Sequence, residues 1–328
     1  MRAVLVDTSN GDGPEALVWA ETATPVPAAD EVLVEVTAAG VNRADLMQRR
    51  GLYPPPPGAS EILGLECSGR VAEVGAEVTG WQVGDACVAL LAGGGCAEAV
   101  AVPAGQLLPP PPGVDLVTAA GVVEVAATVV SNLDESRLVA GETLLVHGGA
   151  GGIGTFALQY AHQLGATVVA TAGSDEKVAH CLDHGADHAL RYDIDVDGED
   201  WVARVQALGG ADVILDPIGA KYLGDHVRLL RRGGRLVTIG MQGGRKGELD
   251  LAALLGRNAS VTARGLRGRP VAEKAAICAA LTERVWPMIG DGRIRSAPTT
   301  LVPMPDAAQA HRRLESGESL GKIVLTLD

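Results

Sequence analysis

The sequence predicts an α/β chain in which a doubly wound parallel sheet is inserted within a discontinuous, mainly β domain. Three observations carry that prediction. From Leu116 onward, short apolar strands alternate with helical stretches of ordinary length, the pattern of parallel strands joined by crossover helices. At His147-Gly148-Gly149-Ala150-Gly151-Gly152-Ile153-Gly154 a glycine-rich turn joins an apolar strand to a helix. The chain closes on a lone strand at residues 322–327, which needs a partner sheet, and the N-terminal third supplies one. The expected division is 1–120, 121–266 and 267–328, with the first and last parts forming one domain.

Strands are expected at residues 2–6, 31–38, 69–74, 86–90 and 98–102, where apolar residues alternate or run briefly between Gly and Pro. The proline runs at 54–57 and 109–112 fix φ and withhold N–H donors, so both read as extended loops. Parallel strands follow at 143–146, 167–171, 187–191, 213–216, 235–239 and 260–266, then a helix over 272–289 and the closing strand.

A length of 328 residues suggests about two domains, and 47% hydrophobic composition is ample for their cores. The net charge of -13 works against nucleic acid or an anionic membrane surface as partner. Arg264, Arg267 and Arg269 form a small basic cluster, expected to meet cofactor phosphate or solvent. The longest apolar stretch, 119–130, is broken by Glu124 and too short to span a bilayer, and Asp7 follows the opening strand at once. The expected location is the cytoplasm. Cys67, Cys87, Cys96, Cys181 and Cys278 are odd in number and never in C-x-x-C spacing, so they read as small buried hydrophobes.

The glycine motif contains G-x-G-x-x-G in a strand–turn–helix context, which points to a dinucleotide. A pyrophosphate is met by backbone N–H groups at a helix N-terminus, and residues without side chains let it approach. Gly149 is the expected tight-turn residue. Gly151, with Gly152 and Ile153, faces the phosphates, and Gly154 lets helix and strand pack. A glycine-rich turn without ligand is the bland alternative. The next strand ends in Ala172-Gly173-Ser174 where NAD binders place a carboxylate, which leaves room for the extra phosphate of NADP. Lys177 and Tyr192 are candidate phosphate partners, so NADPH is expected. The competing reading has Lys177 in solvent and Asp175 on the ribose.

Gly40-Val41-Asn42-Arg43-Ala44-Asp45-Leu46, Gly64-Leu65-Glu66, Gly84-Asp85, the glycine motif and Gly321-Lys322-Ile323-Val324-Leu325 together resemble the medium-chain dehydrogenase/reductase superfamily over essentially the whole chain. Within it the chain looks like the zinc-free, zeta-crystallin-like quinone oxidoreductases. Residues 42–48, Ala89-Leu90-Leu91, Gly93-Gly94-Gly95 and Thr171-Ala172-Gly173-Ser174 most resemble the tumour-suppressor-inducible NADPH:quinone oxidoreductase subgroup. The quinone oxidoreductase signature fits Gly141, Glu142, Leu145, Ala150, Gly151, Gly152, Gly154 and Gln159, with Gly149 and His162 departing from it.

The resemblance implies a Rossmann domain inserted in a GroES-like catalytic domain, a homodimer paired through the 260–266 edge strand, and NADPH-dependent reduction of a quinone. Reduction of an enone or enoyl thioester is the alternative. It implies that the nicotinamide lies against Asn42, Thr128 and Gly265-Leu266, and that Gly240-Met241 borders the cofactor's path. Asp45 is a candidate acid, weighed against a buried brace of the Asn42 loop. Tyr53 is weighed as a substrate contact first, a proton donor second and a loop anchor third. The catalytic metal of zinc-dependent members falls on Asn42, Leu65 and Glu124, with Glu66 kept, so no metal is expected.

Overall fold

The computed structural model describes residues 1–196 and 198–327. The chain divides into two compact units, one of Met1–Ala127, Leu266–Gly292 and Ser296–Asp328, the other of Thr128–Gly265 with Arg293–Arg295.

The first unit opens with β1 (Arg2–Val6), which pairs antiparallel with β2 (Leu17–Glu21). The sequence reading missed β2. The following strands are β3 (Glu31–Val41), β4 (Glu66–Val74), β5 (Ala86–Leu90), β6 (Ala99–Pro103) and β7 (Leu107–Leu108). Along β3 the exposure alternates and then stops alternating, residues 38–41 being buried on both faces. The expected strand ends at residue 38, yet β3 runs on through Gly40, which pairs with the returning end of the chain.

The second unit contributes β8 (Thr143–His147), β9 (Thr167–Ala172), β10 (His188–Arg191), β11 (Ala211–Asp216), β12 (Leu230–Thr238) and β13 (Ser260–Ala263). They form one parallel sheet in the order β10-β9-β8-β11-β12-β13. The chain builds outward from β8 and then returns past it to β11, so the direction reverses between those two strands. In open α/β sheets that switch point, at the carboxyl ends of the strands, is where ligands bind. Strand β13 is shorter than expected and lies at the sheet edge; Arg264 N still reaches Thr238 O at 3.2 Å, but the following residues leave the ladder.

The chain returns to the first unit through a helical run, Val271–Ala280, Leu281–Val285 and Trp286–Gly290, whose middle segment is a wider π turn. Pro287 explains it. A proline lacks the N–H for the regular ladder and its ring crowds the carbonyl a turn earlier, so a wider turn ahead of it relieves the clash. Strands β14 (Thr299–Pro303) and β15 (Lys322–Thr326) then join the first sheet, β15 antiparallel to β3. The expected discontinuous β domain is therefore what the chain forms. Among the described residues no helix is long and apolar enough to cross a membrane.

Candidate active site

In the second unit, the glycine motif joins β8 to the helix Gly152–Gln163, with Gly151 extended at its N-cap. The left-handed turn falls on Gly148, at φ +67°, and not on Gly149. Gly149 is instead packed inward: its N–H donates to Thr171 O at 3.1 Å, and an added methyl would lie 2.7 Å from Cys181 Sγ. A methyl on Gly154 would strike Gly148 O, so the expected close packing of helix on turn is there. Gly151 faces open space, with only Gly148 O at 3.5 Å from a built Cβ. The first helical bond runs from Thr155 N to Gly151 O at 2.8 Å, leaving the N–H groups of Gly152, Ile153 and Gly154 ahead of the ladder. A pyrophosphate fits this end in charge and in room.

His147, the last residue of β8, braces the turn from below. Its Nδ1 lies 2.8 Å from Thr171 Oγ1 and its Nε2 lies 2.8 Å from His226 Nε2. Burial lowers both imidazoles, His226 to about 4, so both rings are neutral and one donates to the other.

One strand over, the helix Asp175–Asp183 is capped by Ser174, whose Oγ accepts from Lys177 N at 3.2 Å. Tyr192 N donates to Ala172 O, and the Tyr192 hydroxyl hangs over Gly173, where any Cβ would meet it at 2.5 Å. Gly173, Ser174, Lys177 and Tyr192 thus share one corner. Asp175 is 89% exposed and is taken by Arg191 at 2.7 Å, while Arg191 also grips Asp193. The sequence reading missed Arg191; its position beside Tyr192 at a strand end was the available signal. The loops after β11 and β12 pack together, Gly243 N on Ile218 O at 2.7 Å, and leave Met241 half exposed beyond Gly240.

In the first unit, Asn42 follows β3 directly and is the N-cap of the helix Arg43–Arg49. Asp45 is fully buried, and both its oxygens accept backbone N–H groups, from Asn42 at 2.7 Å and from Gly64 at 3.1 Å. Burial raises its carboxyl to about 6, and those two bonds oppose the shift. Asp45 therefore ties the Asn42 loop to the Gly64 turn.

Next to it, Lys322 of β15 places its ammonium 2.6 Å from Glu66 Oε1 and 2.6 Å from Asn42 Oδ1. Asn42 Nδ2 donates to Glu66 Oε1 at 3.0 Å, and Glu124 N donates to Glu66 Oε2 at 3.0 Å. Leu65 is buried alongside. The positions that resemble a catalytic zinc site thus hold an amide at Asn42, an alkyl chain at Leu65 and carboxylates at Glu124 and Glu66, and the Lys322 ammonium pairs with Glu66. That set does not fit zinc, because Leu65 offers no donor and the ammonium already pairs with Glu66 Oε1 and Asn42 Oδ1. Among the described residues no group of three His, Cys, Asp or Glu is placed to hold a metal. The cysteines are buried, and burial pushes Cys87, Cys181 and Cys278 up to about 12 and Cys67 and Cys96 well above their ordinary value.

Arg267 corrects the reading of the basic cluster. It is not at solvent: it is buried, donating to Ala92 O at 2.7 Å, Tyr53 O at 3.1 Å and Gln48 Oε1 at 2.7 Å. Its guanidinium lies 5.3 Å over the Tyr53 ring. Gln48 in turn donates to Glu61 O at 2.7 Å, so one side chain gathers the loops carrying Tyr53, Glu61 and Ala92. Burial raises the Tyr53 phenol above its ordinary value, and Arg267 opposes that. Arg264 pairs with Glu135 at 2.8 Å in the second unit. Of the other expected contacts, Thr128 is buried in the helix Val123–Ser136, Gly265 is exposed just past β13, and Leu266 is buried at the start of the first unit's return.

Two family models match the chain: one described as alcohol dehydrogenase GroES-like domain over residues 28–112, the other as zinc-binding dehydrogenase over residues 152–279. The chain is 32% identical to a quinone oxidoreductase of Pseudomonas aeruginosa, over 95% of its own length and 96% of that protein's. It is 31% identical, over 92% of its length, to one component of the phenolphthiocerol/phthiocerol polyketide synthase of Mycobacterium tuberculosis, of which it spans only 14%. Among solved structures, Escherichia coli quinone oxidoreductase complexed with NADPH aligns with a TM-score of 0.85 at 29% identity, covering 96% of this chain and 97% of that one.

Proposed function

Because the chain belongs to the medium-chain dehydrogenase/reductase superfamily, as an oxidoreductase of that fold, we propose that it reduces quinone-like acceptors with NADPH and without a metal. The observation that carries this reading is the donor set around Glu66. With Leu65 offering no donor and an ammonium paired to Glu66, these positions would not hold a metal to polarise a carbonyl, which favours an acceptor that takes hydride unaided.

When bound, NADPH supplies the hydride and its electron pair; the residues supply place, charge and exclusion of water. The amino end of the helix Gly152–Gln163 holds the pyrophosphate. Ser174, Lys177 and Tyr192 take the additional phosphate, and the Arg191 grip on Asp175 keeps that carboxylate from repelling it. Tyr53, backed by Arg267, offers a flat ring to the acceptor. A quinone that accepts hydride draws its remaining proton from water onto oxygen, so no placed acid is required. The proposal extends to a homodimer in which two sheets pair through the exposed β13 edge.

A second reading, reduction of an activated carbon–carbon double bond, is favoured by the guanidinium over Tyr53, which would stabilise a phenolate left behind by proton donation to carbon. An NADPH-oxidation panel of quinones, enones and enoyl thioesters, run before and after chelation, separates the two. Quinones should give the highest kcat/KM, unchanged by the chelator. Faster turnover of enoyl thioesters, or activity lost with a stripped metal, refutes the proposal.

A further inference from the structure

We infer that Lys322 is a positioning residue, an internal cation delivered by the returning strand β15 that holds the Asn42 amide in one orientation where zinc-dependent relatives hold a metal. The inference rests on the proposed reading only in taking Asn42 as the residue beside the reacting ring.

Three strands converge on this point. Asn42 comes from just past the end of β3, Glu66 from the start of β4 and Lys322 from β15, which lies 280 residues from Asn42 along the chain. The ammonium donates to Asn42 Oδ1 and to Glu66 Oε1, each at 2.6 Å, and Asn42 Nδ2 donates to the same Glu66 oxygen at 3.0 Å. Flipping the amide would turn its NH2 onto the ammonium and its oxygen onto the carboxylate, so charge fixes which end points where. The surroundings are cleared for the pair: a methyl on Gly40 would strike the Glu66 carboxylate, and one on Gly121 would lie 2.7 Å from Lys322 Cγ.

Stability does not account for the arrangement. Lys322 is 5% exposed and Glu66 0%, and a buried ion pair of this kind is commonly no better than apolar residues of similar size. What the pair adds is a fixed charge and a fixed amide. An ammonium offers no coordination site, so it brings a cation's charge to Asn42 and Glu66 without a metal's Lewis acidity.

The test uses Lys322→Met, Lys322→Met/Glu66→Gln and Lys322→Arg, measuring the thermal midpoint, NADPH Kd, the fluorescence emission of the bound nicotinamide, and kcat with any acceptor the wild type reduces. Lys322→Met should lose thermal stability, because Glu66 is left buried and unpaired. The double variant should recover the midpoint and keep NADPH Kd within about threefold, while its bound-nicotinamide emission changes and kcat stays down by about tenfold or more. A double variant with wild-type emission and kcat makes the pair a structural strut and overturns the assignment. Should that variant not fold, Lys322→Arg decides. It keeps the charge, but its planar fork misplaces the amide, so emission and kcat should change, and wild-type values overturn the assignment equally. Emission needs no acceptor, so a wild type that reduces none of the panel refutes the proposed function and leaves this test standing.

Discussion

Replacing Arg267 by Met should both destabilise the protein and loosen its acceptor site. The wild-type guanidinium donates to Ala92 O, Tyr53 O and Gln48 Oε1 at 2.7, 3.1 and 2.7 Å and sits over the Tyr53 ring. Hydrogen bonds from a charged donor are worth about 1.5–3 kcal/mol each, so the gross loss is about 4.5–9 kcal/mol. Removing the charge also removes its burial cost, while each buried oxygen left without a donor costs about 1–3 kcal/mol, so the net loss should be about 3–5 kcal/mol. That is the expected loss in urea unfolding. Lys should restore less than half of it, because one compact ammonium cannot reach three acceptors spread around a planar fork. In steady-state assays the Met variant should raise the quinone KM about tenfold while kcat falls less, the pattern of a lost ground-state contact, since Tyr53 loses its backing. A Met variant with wild-type stability and KM would refute the clamp.

Two further outcomes follow from the other clusters. Lys177→Ala should weaken NADPH binding by about 1–3 kcal/mol and leave NADH nearly unchanged, as fluorescence titration with both cofactors would show; equal wild-type affinities would remove the basis for cofactor choice. His311 accepts from Arg49 Nη1 at 3.0 Å, and Arg49 also holds Glu315 at 2.6 Å. Burial, with Arg49 and Arg50 adding to it, lowers the imidazole to about 3, so the folded state binds fewer protons than the unfolded chain between about 3 and the ordinary 6.5. Stability from this site is therefore full above pH 6.5 and declines as pH falls toward 3, by up to about 5 kcal/mol. His311→Gln should flatten that acid limb of the unfolding midpoint against pH, and an unaltered slope would rule the site out as its source.

The second unit was the more legible part of the chain, because its information is local. Buried parallel strands such as Thr143–His147 read as continuous apolar runs, and the glycine motif declares a turn and a helix start within a few residues. What failed there was fine placement: positive φ belongs to Gly148, and in a run of adjacent glycines no side chain marks which one takes it. In the first unit β2 and β14 escaped because Leu17–Glu21 and Thr299–Pro303 are half-buried edge segments with weak alternation.

The candidate site was legible wherever nearby segments carry it. Asn42, Asp45 and Tyr53 lie within twelve positions of one another, and the Gly173 corner follows the ends of two neighbouring strands, β9 and β10. Lys322 and Arg267 were not. Lys322 reads as one more residue of a closing strand, and its role exists only once β15 lies against β3. Arg267 sits among Arg264 and Arg269, where clustered charge suggests solvent or phosphate; burial against three neutral oxygens is a tertiary fact that composition does not contain.

The most direct measurement of the central claim is kcat and KM for quinone reduction by Tyr53→Phe against wild type. The substitution removes one hydroxyl and keeps the ring that a flat acceptor would meet. If the acceptor is a quinone, whose protons reach oxygen from water, KM should rise and kcat should change only modestly. If the reaction instead protonates carbon, a placed acid is worth about a hundredfold or more in rate. A wild type that reduces enoyl thioesters faster than any quinone, with kcat collapsing in Tyr53→Phe, would contradict the account.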